Sequence, residues 1–134
     1  MIIDFNLQMS DAQAVTSSAA STNIIDLGAD RDIGPGEEMK LVFTCDTTQA
    51  GTSPTVTFKL QTSATAGGSY TDLATSRTVA AMTSGQAVVM GLPDTNLQFI
   101  RAYFTIGGSS ITAGAFSAQI VKDASQWQAY SDFE

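Results

Sequence analysis

The chain has 134 residues, 43% of them hydrophobic and 14% charged, with thirteen acidic against six basic side chains, one cysteine and no histidine. A length of this order suits a single domain around one core, and so high an apolar share excludes a disordered chain. The net charge of −7 repels phosphates and anionic lipid surfaces, so neither nucleic acid nor a membrane is expected as a partner.

Met1, Ile2 and Ile3 are followed at once by Asp4, with no basic start and no long apolar run. Neither a signal peptide nor a membrane span is expected, and the chain reads as soluble and made in the cytosol. Residues 1–23 carry little periodicity and read as an extended arm, in which Ile2, Ile3, Phe5, Leu7 and Met9 are candidate contacts with a neighbouring molecule. Within it, Ser10, Asp11, Ala12 and Gln13 have the composition of one capped helical turn.

Ile24, Ile25, Asp26 and Leu27 form a first short strand closed by Gly28, and 29–38 is a loop turned by Gly34, Pro35 and Gly36. Asp26, Asp30, Asp32, Glu37 and Glu38 offer oxygen ligands, but Pro35 and Gly36 stand where a calcium loop needs them. No metal and no cofactor is expected.

Apolar residues then recur at every second position. Over 39–46, Met39, Leu41, Phe43 and Cys45 share a face; over 55–61, Val56, Phe58 and Leu60 do the same. A period of two is the mark of a half-buried strand, so these are two strands separated by 47–54. Cys45 lies on the apolar face with no second cysteine to pair with and no histidine to activate it, which makes it a core residue rather than a nucleophile. A turn at 66–69 follows, then two shorter strands, 78–82 and 86–92, around Ser84 and Gly85, and a turn at Leu92, Pro93 and Asp94.

Strands 97–106 and 115–122 complete the set, with Gly107, Gly108, Ser109 and Ser110 read as the tight turn of a hairpin between them. Arg101 is the odd residue of its strand. Phe99 and Tyr103 flank it on the same face, and their rings suit stacking on a guanidinium, which marks a candidate interface. Beyond the last strand, Trp127, Tyr130 and Phe133 recur at every third residue of an otherwise polar tail, 123–134, either to dock on another subunit or to cover the chain's own core.

Seven or eight short strands with regular turns predict an all-β fold, a jelly-roll-like antiparallel β-sandwich over 24–122 with an extended N-terminal arm, 1–23, and a short C-terminal tail. No acid on a predicted core face lies near another, so no paired carboxylates suggest hydrolysis and no catalytic residue is assigned. The chain reads as a binding or structural protein. A ligand-binding sandwich, such as a carbohydrate-binding or receptor-binding domain, is the alternative; its aromatic platform would be Tyr70, Phe99, Tyr103 and the tail.

Several segments in order carry a resemblance. Ser10, Asp11, Ala12, Gln13, Ala14, Val15 and Thr16 lead to Ala20, Ser21, Thr22, Asn23, Ile24, Ile25, Asp26, Leu27 and Gly28. Then come Phe58, Lys59, Leu60, Gln61, Thr62 and Ser63, then Leu92 and Pro93 before Phe99, Ile100 and Arg101, and last Ile111, Thr112, Ala113, Gly114 and Ala115. Up to about Lys122 the chain resembles the capsid cement, or decoration, proteins of tailed bacteriophages, in particular the Bordetella-phage family. The resemblance implies a jelly-roll subunit that forms a homo-dimer or homo-trimer on the outside of the mature head. There it would bridge neighbouring major capsid proteins, with no catalytic residue.

Overall fold

The apolar alternation of 39–46 and that of 55–61 belong to one strand. The computed structural model describes residues 3–28, 38–93 and 97–122. In chain order it has a 3-10 turn, Phe5–Leu7, then β1 (Gln8–Ala14), β2 (Ala19–Ala20), β3 (Ile25–Asp26), β4 (Lys40–Ser63), β5 (Thr71–Thr75), β6 (Val79–Ala80), β7 (Ala87–Gly91) and β8 (Phe99–Val121). All strand pairs are antiparallel, and the described residues contain no α-helix.

β4 and β8 pair along their whole length, from Lys40↔Val121 to Ser63↔Phe99. The ladder is interrupted by register shifts between Cys45 and Thr55, and each extra residue there bends the ribbon and raises its twist. Gly51, Gly108 and Gly114 take positive φ in this stretch, and Pro54 sits where a ladder bond is already lost. At Gly108 a β-carbon would lie 2.6 Å from the carbonyl oxygen of Ser53, so the two bent strands approach closer than any side chain permits. The ribbon therefore folds over on itself. One half carries β1 and β7 on its edges; the other carries β2 and β3 on one edge, β5 and β6 on the opposite one.

Between the halves lies the core. Phe43, Phe58, Phe104 and Phe116 are fully buried and touch one another in stacked and edge-to-face pairs. Leu41, Leu60, Met82, Ile100, Ala118 and Ile120 pack around them. Burying side chains of this size contributes roughly 1.5–3 kcal/mol each before entropy is counted. Gln49 ties the bend to the loop before β7: its backbone N–H donates to Met82 C=O, and its side-chain oxygen accepts from Met82 N–H.

The all-β sandwich expected from the sequence is the observed architecture, and three further local readings change. Residues 107–110 do not turn a hairpin; they are the bend of β8, since glycines at positive φ serve a bulge as readily as a turn. The helical turn lies earlier, at Phe5–Leu7, where the Asp4 side chain accepts from the Asn6 N–H; Ser10 to Gln13 are in β1. Nor do the described residues 3–23 stand free as an extended arm: β1 pairs with β8 from Gln8↔Gln119 to Ala14↔Ala115, and Met9 and Val15 are buried. The sequence hid this because β1 is bulged, with Ala12 at φ 44°, and buries Ser10 behind a hydrogen bond to Phe116 C=O.

Candidate interface surfaces

Two surfaces present side chains suited to contact. The first is the outer face of the half built by the C-terminal part of β4 and the N-terminal part of β8. Ile100, Ala102 and Phe104 point inward, which turns Phe99, Arg101 and Tyr103 outward, each half-buried. Register places Arg101 beside Gln61 and Gln61 beside Asp72 of β5. The three side chains join in a row: Arg101 Nε donates to Gln61 Oε1 at 3.0 Å, and Gln61 Nε2 donates to Asp72 Oδ1 at 2.8 Å. Lys59 Nζ reaches the other oxygen of Asp72 at 2.9 Å.

The guanidinium of Arg101 lies over the ring of Tyr70, 3.8 Å from its centroid, so its aromatic partner comes from the loop before β5 and not from Phe99 or Tyr103. Held by a ring on one side and an amide on the other, Arg101 is ordered before any partner arrives. Asp72 has its carboxyl held below the ordinary value, first by the hydrogen bond from Gln61 and then by that from Lys59. Sequence reading found Arg101 and missed Gln61, Lys59 and Asp72. These sit on different strands, and only the register that brings them together makes them a set.

The second surface lies at the start of the chain. Phe5 is 79% exposed, and Ile3 and Ile24 stand out beside polar neighbours. Phe5, Asn6, Gln8, Thr22, Asn23 and Ile24 line a shallow groove of about 330 Å³. Phe5 is the most exposed of the large apolar side chains among the described residues. Among the other predicted contact residues, Leu7 is half-buried against the core, and Met9 is wholly inside it. Ile2, Trp127, Tyr130 and Phe133 lie outside the described residues.

Cys45 is buried, its thiol donating to Thr47 C=O at 3.1 Å, and burial first and the Asp46 charge second push it up. Of the acidic loop residues only Asp26 and Glu38 are described: Asp26 accepts from Gly28 N–H and Gln98, and Glu38 pairs with Lys40. No group of acids or cysteine suited to a metal ion occurs among the described residues, and none of their helices is long and apolar enough to cross a membrane.

The sequence follows a phage family, which makes this β-sandwich a phage structural protein, associated with the virion. The family model Bbp16 matches residues 9–120, and the chain belongs to this family of Bordetella phage proteins. The match begins at Met9, inside β1, and ends at Ile120, inside β8, so it spans the sandwich from its first edge to its last strand. No curated protein matches the chain.

Proposed function

We propose that this chain is a capsid cement protein, which binds the outer surface of the mature phage head and bridges neighbouring major capsid proteins, without catalytic activity. The observation that carries the reading is membership of a phage structural family by a sandwich that exposes ordered contact residues on separate surfaces. A bridge needs two faces. Arg101 on Tyr70 supplies one and the Phe5 groove the other.

Cementing follows from mass action: a ligand that binds only the assembled shell stabilises it by the free energy of its binding, since every copy must leave before capsomers part. Many copies acting together turn modest contacts into a strong clamp. The net charge of −7 suits an exterior position, where affinity for the packaged genome would serve nothing. Self-association, as dimer or trimer, belongs to this reading. The ligand-binding alternative has weaker support, because the Tyr70 ring, one of its candidate platforms, has one face covered by the Arg101 guanidinium.

Heads made without the polypeptide provide the test. They should lose their DNA at lower temperature and in milder osmotic shock than complete heads, and adding purified protein should restore them. Heads that survive equally well without it would refute the cement role.

A further inference from the structure

Nearly every edge of the sheet is guarded. β1 carries Asp11 and two register shifts against β8; β5 carries Asp72 and a shift against β4. β2, β3 and β6 are two residues long. Charge, bulges and shortness are the devices that keep an edge from pairing with another chain. β7 has none of them. It runs against β4 in unbroken register from Thr44↔Ala87 to Lys40↔Gly91, and no charged residue occurs between Gly85 and Pro93. Val89 at its centre is 51% exposed.

Among the described residues, nothing pairs with the outer side of this edge. Cys45 N–H donates to Gln86 C=O at one end of the ladder, and Leu92 N–H donates to Met39 C=O at the other. Bonding pairs alternate in an antiparallel ladder, so Val88 and Met90 turn their N–H and C=O groups to β4, whereas Ala87, Val89 and Gly91 turn theirs outward. No hydrogen bond to these outward groups occurs among the described residues.

We propose that β7 is the self-association site: it pairs antiparallel with β7 of a second copy about a two-fold axis at Val89, joining two sandwiches through one continuous sheet. The strand fits itself. The axis sets Val89 against Val89 and Ala87 against Gly91, so each outward donor meets an acceptor, a branched side chain meets its like, and small meets small. Two chains of net charge −7 repel each other, and this strand lets them touch without placing like charges together. The proposal rests on the cement reading only in that a head-binding subunit acts as an oligomer.

Val89→Pro is the sharpest probe, because it removes an N–H that points away from β4 and leaves the chain's own ladder whole. Val89→Lys keeps the N–H and sets like charges opposite each other. Sedimentation equilibrium of the full chain over about 1–100 µM should show a dimer, and both variants should dissociate at least about tenfold more readily with unchanged far-UV circular dichroism. If the proline variant does not fold, the lysine variant decides. Amide exchange at Ala87, Val89 and Gly91 should quicken on dilution. A wild-type monomer across the range, or variants that dimerise as tightly as wild type, would overturn the proposal. Monomeric protein that still decorates heads would overturn it while leaving the cement reading intact. A β7 dimer that never binds heads would do the reverse.

Discussion

Phe43 and Phe58, on the same strand, stack with ring centroids 4.6 Å apart and planes within 17° of parallel. An extended segment of that length would hold them roughly 50 Å apart. Their contact therefore measures how completely β4 has doubled back, and the core depends on it. Phe43→Ala should cost about 3–5 kcal/mol in denaturant unfolding, through lost burial and the cavity left beside Phe58 and Phe104. A loss under about 1 kcal/mol would mean that the halves do not close on each other in solution.

The bend itself is open to a paired substitution. Gly108→Ala places a β-carbon against Ser53 C=O at a backbone with φ 103°, and a penalty of about 1–3 kcal/mol is expected. Gly67→Ala meets open space without positive φ and should stay within about 0.5 kcal/mol of wild type. Thermal unfolding of the two variants separates a strained position from a permissive one.

At the N-terminus, the two deletions differ in what they remove. A variant lacking residues 1–6 loses Phe5 and its exposed face but keeps Leu7 and β1, and should unfold cooperatively near the wild-type temperature while binding heads less well. Removing 1–15 also strips Met9 and Val15 from the core and bares the edge of β8, and should cost about 4 kcal/mol or more. Calorimetry and head co-sedimentation read the two effects separately.

Acid should act weakly at Asp72. Its carboxyl is lowered in the folded state, so its contribution is present above the ordinary value of 3.8 and is lost as pH falls through the lower folded value. Because the group is largely exposed, Asp72→Asn should cost less than about 1 kcal/mol at pH 7 and nothing once the pH is below both values. A pH series of denaturant midpoints for the two proteins checks this, and a gap that widens in acid would contradict the assigned pairing.

The sequence revealed the strands better than their connections. Alternation at Val56, Phe58 and Leu60 announces a buried face because the pleat has a period of two residues, whatever lies at either end. Whether the glycines at 107 and 108 turn the chain or merely bend it depends on what pairs beyond them, and that is a long-range fact. β1 was hidden for a related reason: its burial involves Ser10, whose place inside rests on a carbonyl more than a hundred residues away. The contact surfaces were half visible. Arg101 stands out among aromatic neighbours, but Gln61, Asp72 and Tyr70 become its partners only through strand register and loop placement. Val89 looked like any strand residue, since an edge is defined by the neighbour it lacks.

The cement reading is tested most directly by a cryo-electron microscopy map of the intact particle. The account predicts density for this sandwich on the outer surface of the head, seated where major capsid proteins meet, with the Arg101 and Phe5 surfaces turned to the shell. A map that leaves the head exterior bare, or places the chain in the tail or a fibre, would contradict it.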